Sequence, residues 1–229
     1  MLTTDPARLA GDARSILACP ATVTLVVEGE PRAVEEETAL SDEDGRPSFV
    51  CRPGSPIARA AVQHRSALLT LASGLGEAGG ADRADTLTLA GRLERTAVED
   101  CDCCSEVRYA VTLDLNFVLL TRGGRQHRVP LDEFHSEQHR LNRGHLQRSV
   151  EHANDCHHAE LRQAVSHGTG TAPNDLVAVR LAHLTPSDVE IQWVDVDGAH
   201  RTVVAFPRTA HDLSELGEFL RRGLHAGLC

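Results

Sequence analysis

Apolar and polar positions alternate through most of the first 130 residues, the two-residue period of half-buried strands. Thr22–Glu28 (TVTLVVE) is rich in β-branched types and predicts a strand, with Ala33–Leu40 as its hairpin partner. Pro47–Cys51 predicts a short strand. Ser55 followed by Pro56 starts a short helix reaching about His64, and Ser66–Ala72 (SALLTLA) returns as a strand. Positions 73–84 read as a Gly-rich loop. Leu87, Leu89, Gly91 and Leu93 alternate with polar residues in a strand over Thr86–Leu93. A further strand covers Val107–Thr121, and Gly123-Gly124 turns it onto Gln126–Val129. About six short strands joined mostly by hairpins favour a closed or split barrel, because closure removes exposed edges.

Near residue 130 the period changes from two to 3.6, which divides the chain into 1–130 and 131–229. Asn142 is the expected N-cap of one helix running to about His167. Leu146, Val150, Ala153, His157, Leu161 and Ala164 form its apolar stripe, and Gly168 and Gly170 stop it. Strands follow at Leu176–Ala182, Val189–Val196 and His200–Phe206, the last two joined by Asp197-Gly198. A final helix starts at Asp212, with Glu215 completing a capping box and Leu213, Leu216, Leu220 and Leu224 as its stripe. The expected class is α+β: a small barrel, then an α-β-β-β-α module.

Composition narrows the function classes. The 229 residues are 41% hydrophobic and 24% charged, with no apolar run long enough for a membrane span. A net charge of −10, with one Trp, one Tyr and five Phe, argues against nucleic acid as a partner. All 23 basic residues are Arg, so a phosphate-binding Walker lysine and a lysine Schiff base are excluded. Met1–Ala18 has no apolar export segment, and the seven Cys (Cys19, Cys51, Cys101, Cys103, Cys104, Cys156, Cys229) are an odd number that reads as thiols; the expected compartment is the cytoplasm.

Several local patterns carry possible chemistry. Eight carboxylates between Glu28 and Asp44 against Arg32 read as a solvated edge. Gly74, Gly76 and Gly79 spell G-x-G-x-x-G, but a strand follows where a dinucleotide site needs a helix. Cys101, Cys103 and Cys104 lie among Glu99, Asp100, Asp102 and Glu106, which disfavour thiolates; an exposed loop is the plainer reading than a metal or redox site. Histidine stands out, with 13 residues, six of them at His135, His139, His145, His152, His157 and His158. His135 to His139 reads H-S-E-Q-H, which lacks the H-E-x-x-H base and excludes a zincin. On the long helix His152 and Cys156 share a face, while His157 falls on the apolar stripe and points to the core or a pocket. Residues 122–148 hold Arg122, Arg125, Arg128, Arg140, Arg143 and Arg148 against Asp132, Glu133 and Glu137, a positive patch suited to phosphate or carboxylate.

These residues carry a resemblance. HANDCHH from His152 resembles the H-x-N-x-D-H-type opening of the C-terminal (DUF2470-type) module that follows a flavin-type, pyridoxamine-phosphate-oxidase-like split β-barrel in the HugZ-like haem-utilisation family. Asp44-Gly45-Arg46-Pro47, SPIA at Ser55–Ala58, SALLTL at Ser66–Leu71 and FPR at Phe206–Arg208 are similar in order, so the likeness spans about residues 12–225. Two departures stand out: the helix IARAAVQH lacks the flavin-associated H-T-x-N-type stretch, and Cys156 replaces the module's usual Asp. The resemblance implies a homodimer with ligand sites between protomers and haem iron held by a His of the module. His157, His152 and His225 are the axial candidates, and Arg122, Arg125, Arg128, Arg143 and Arg148 are the cofactor-binding candidates for the propionates. Three readings stay open at this point. The first is a haem-binding protein acting as oxygenase, carrier or sensor. The second is an FMN- or deazaflavin (F420)-dependent oxidoreductase, and the third is a non-catalytic dimeric interaction module.

Overall fold

A computed structural model describes residues 5–29, 39–100 and 107–225. The chain divides into two compact units, residues 1–144 and 145–229.

The first unit opens with helix α1 (Pro6–Ala18), which the sequence reading did not assign; Asp5 caps it by accepting from the Ala7 N–H, and Pro6 stands at its first position. Strands β1 (Pro20–Val27), β2 (Ala39–Glu43) and β3 (Arg46–Cys51) follow, then helix α2 (Pro56–Val62), capped by Ser55 as expected. Strands β4 (Ser66–Ser73), β5 (Thr86–Asp100), β6 (Val107–Arg122) and β7 (Arg125–Arg128) complete the sheet, and the short helix α3 (Leu131–Phe134) closes over it. All pairings are antiparallel, in the order β1-β4-β5-β6-β3-β2, with β7 also on β6.

The long β5–β6 hairpin sets the architecture. β4 pairs with the first half of β5, whereas β3 pairs with the first half of β6, so opposite ends of one hairpin serve two smaller sheets. Bulges at Ala90/Gly91 and Arg95/Ala97 add the local bend and twist that such a sheet needs to curl. At Gly91 a Cβ would lie 2.0 Å from the Asp114 carbonyl oxygen, so only glycine fits the bulge. The curled antiparallel sheet and its helices make the protein α+β with a split-barrel core. That core is built from Leu25, Val27, Phe49, Leu69, Leu71, Leu87, Leu89, Leu93, Val111, Leu113 and Val118, with Ile16 and Leu17 from α1 and Phe134 from α3 packed on it.

Most of the expected hairpin partner Ala33–Leu40 lies outside the described residues; its described end, Ala39 and Leu40, pairs with Val50 and Phe49 of β3 rather than with β1. Residues after 130 stay with the first unit because Phe134 is fully buried in its core, so the change of period precedes the change of unit.

Helices α4 (Arg143–Cys156) and α5 (His158–Thr169) follow; the second unit begins within α4 and contains strands β8 (Ala178–Leu184), β9 (Asp188–Asp195) and β10 (Gly198–Ala205) and helix α6 (Leu213–His225). The strands form an antiparallel sheet in the order β10-β9-β8. Leu161, Ala164, Val165, Leu181, Leu184, Val189, Ile191, Leu216 and Phe219 are among the buried apolar residues of this unit. Asp212 caps the helix as expected, the Glu215 N–H donating to its Oδ1 at 2.9 Å, while Glu215 Oε2 reaches one residue beyond the cap and accepts from the His211 N–H at 3.0 Å. Among the described residues no helix is long and apolar enough to cross a membrane.

Candidate functional site

The single helix expected over 142–167 is broken. His157 has φ −122° and ψ 34°, outside the helical region, so α4 ends at Cys156 and α5 starts afresh at His158. The break takes His157 off the apolar stripe: its side chain is 46% exposed instead of entering a core. Two of the expected ligands meet there. His152 Nε2 and His157 Nε2 lie 3.3 Å apart, with the rings edge to face at 5.0 Å. One ring donates its N–H and the other accepts, which requires a neutral imidazole. His157 Nδ1 stands 3.6 Å from Glu160 Oε1, the kind of carboxylate partner that fixes a ring's orientation. Arg148 is exposed one turn before His152 on α4. Asn154, between the two histidines, donates to the Leu181 carbonyl and accepts from its N–H, fastening α4 to β8. Cys156 is an exposed free thiol. The His225 side chain, and Cys101, Cys103 and Cys104, lie outside the described residues.

The arginines do not form one open patch. Arg122 bridges Asp12 and the buried Asp85 at 2.6 Å each; burial would lower its pKa, but these hydrogen bonds outweigh that and raise it. Arg143 Nη2 meets Asp82 Oδ2 at 2.5 Å. Both are therefore ties within the first unit. Arg125 stands exposed at the β6–β7 turn, and Arg128 lies 5.6 Å over the Phe117 ring.

Sequence reasoning missed a polar cleft of about 780 Å³ in the first unit. The β2–β3 turn (Glu43, Asp44, Arg46) and the segment after α3 (His135, Ser136, Glu137, Arg140) face one another across it. Arg14 of α1 lies beneath, 1% exposed, with Nε 3.1 Å from Asp42 Oδ2 and Nη1 donating to the Phe134 carbonyl. The opposite oxygen of Asp42 accepts from the Gly45 N–H at 2.6 Å. Nothing local in the sequence joins the Asp44-Gly45 turn to residue 14. In the second unit Trp193 stacks on His200 at 5.3 Å, and His200 Nε2 is 2.9 Å from Asp195 Oδ1. Among the described residues no three His, Cys, Asp or Glu side chains form a metal-ion cage.

No protein-family model and no curated protein matches the chain. Solved structures do. A haem binding protein from Mycobacterium smegmatis is 15% identical, with 99% of this chain and 98% of that one covered at a TM-score of 0.48. The protein Atu2129 from Agrobacterium tumefaciens str. C58 is 18% identical, with 97% and 98% covered at 0.42. A protein from Clostridium acetobutylicum related to general stress protein 26, of the pyridoxinephosphate oxidase family, is 11% identical, with 57% and 99% covered at 0.43.

Proposed function

We propose that this chain is a haem-binding split-barrel protein that works as a homodimer, with His157 as the axial ligand and His152 beside it. The observation that carries the reading is the His152–His157 pair: two exposed imidazoles 3.3 Å apart, one of them beside Glu160. Two imidazoles are too few for a bare cation, but they suit a metal that arrives already ringed by other donors. Glu160 on Nδ1 leaves His157 Nε2 as the coordinating atom, and binding replaces the imidazole–imidazole contact. Arg148, on the same helix and one turn away, supplies a propionate cation; Arg122 and Arg143 are committed elsewhere. In this reading the second protomer supplies the apolar wall for the macrocycle. Bound haem would supply iron chemistry, as an oxygenase, a carrier or a sensor; the chain's own part is to hold, orient and shield it.

The test is titration of the purified chain with haem, followed by its Soret band, with size measured by sedimentation. The expected result is a shifted, saturable band on a dimer, a changed spectrum in His157→Ala and weaker binding in Arg148→Ala. An unshifted band, or a His152→Ala/His157→Ala double variant with the wild-type spectrum, overturns the reading.

A further inference from the structure

We propose that residues 131–140 form an acid-sensitive clasp: His135 and His139 hold this segment against α1 and the β2–β3 turn while neutral, and release it when protonated. The proposal is independent of haem and concerns the first unit alone.

The geometry is a tight three-way contact. His139 packs against α1, where a Cβ on Gly11 would be 3.3 Å from its ring. His135 packs on the turn: a Cβ on Gly45 would lie 3.1 Å from His135 Nδ1, 3.2 Å from the Phe134 carbonyl oxygen and 2.9 Å from Arg14 Nη1. Arg14 is thus the hub, bonded to Asp42 and Phe134, and both imidazoles sit beside a guanidinium that is buried at the bottom of the cleft. Arg140 spans the cleft, with Nε 3.2 Å from Asp44 Oδ1 and Nη2 3.1 Å from Glu137 Oε1. Arg14 and Arg140 are therefore already held by carboxylates, so the cleft reads as a closure between segments and not as a ready-made anion site.

The charges decide the sign. Around His135 stand Arg14 of α1, Arg46 of β3, Asp114 of β6, Glu43 and Asp44 of the turn, and Glu137 and Arg140 of its own segment. Around His139 stand Arg14 and Glu133. Burial lowers the pKa of His135 first, then Arg14 and Arg46; a backbone hydrogen bond to Asp44 and the charge of Asp114 oppose this without cancelling it. His139 is lowered by burial and by Arg14, against Glu133. Because both folded-state values lie below the unfolded value of about 6.5, the neutral clasp is fully stable above that pH and weakens as pH falls through it. Two new cations beside Arg14 would compete for Asp42, the only carboxylate hydrogen-bonded to it among the described residues.

The experiment is amide exchange of the full chain near pH 7.5 and pH 5, corrected for intrinsic rates, beside His135→Gln/His139→Gln, with imidazole titration of the wild type by NMR. The expected result is a loss of protection at the acid pH of roughly tenfold or more, confined to 131–140 and absent from the double variant. Ring titrations of His135 and His139 should fall below the ordinary imidazole value of about 6.5. Unchanged protection, loss spread evenly over the unit, or rings titrating at or above that value would overturn the proposal. The wild-type titration decides the case even if the double variant does not fold.

Discussion

The side-chain amide of Asn154 makes two hydrogen bonds to the backbone of Leu181, at 2.9 Å as donor and 2.8 Å as acceptor, as a neighbouring strand would. Leu181 stands where the register of β8 shifts and its side chain is buried, so Asn154 satisfies a peptide group at an irregular point of the sheet. In the H-x-N-x-D-H-like stretch, this Asn therefore holds α4 to β8 while the flanking histidines stay exposed.

Asn154→Ala should leave both Leu181 groups unpaired and destabilise the second unit by about 2–3 kcal/mol, read as a lower urea midpoint. Asn154→Asp keeps the acceptor and loses the donor, so its midpoint should fall between the two. A midpoint for the Ala variant equal to wild type would show that the contact is not formed in solution.

Arg122 and Arg125 are neighbours in the sequence patch with opposite roles. Arg122→Gln should cost about 1–2 kcal/mol, discounted for a guanidinium that is partly solvated, because it strands buried Asp85. Arg125→Gln and Arg148→Gln, on exposed side chains, should leave the unfolding midpoint within about 0.5 kcal/mol of wild type. Equal losses in all three would contradict the division into ties and open cations.

Asp42 and Arg14, each 1% exposed, stake the first unit on one ion pair. Asp42→Ala should cost about 3–5 kcal/mol by leaving Arg14 buried without its counter-charge. Calorimetry of Asp42→Ala beside the double variant Asp42→Ala/Arg14→Met separates the cases, since the double variant strands neither charge and should lose less.

Much of this architecture is legible in local pattern. Ser55-Pro56, Gly123-Gly124 and the Asp212 cap sit where their turn or cap chemistry places them, whereas the β9–β10 turn falls one residue earlier than expected, on Val196-Asp197, with Gly198 already paired to Asp195. Helix α1 is written less clearly: two of its seven buried residues are Ala, and Arg14 and Ser15 lie among the rest, so the hydrophobic contrast is weak despite the Asp5-Pro6 start. β5 continues past Leu93 through Glu94–Asp100 because β6 supplies partners for charged residues that no alternation marks. The joint at His157 has neither Gly nor Pro to announce it. The candidate imidazoles can be named through the resemblance of the HANDCHH stretch, while the pairing of Arg122 and Arg143 cannot be read at all, since Asp12, Asp82 and Asp85 reach them only through the fold.

The joint at His157 also frees the two helices it separates from a shared phase. In an unbroken helix, one inserted residue turns everything beyond it by about 100° and would swing Leu161, Ala164 and Val165 away from their sheet. Here a non-helical hinge residue can absorb such a slip, so α4 can drift in length and in what it displays while α5 keeps its seat.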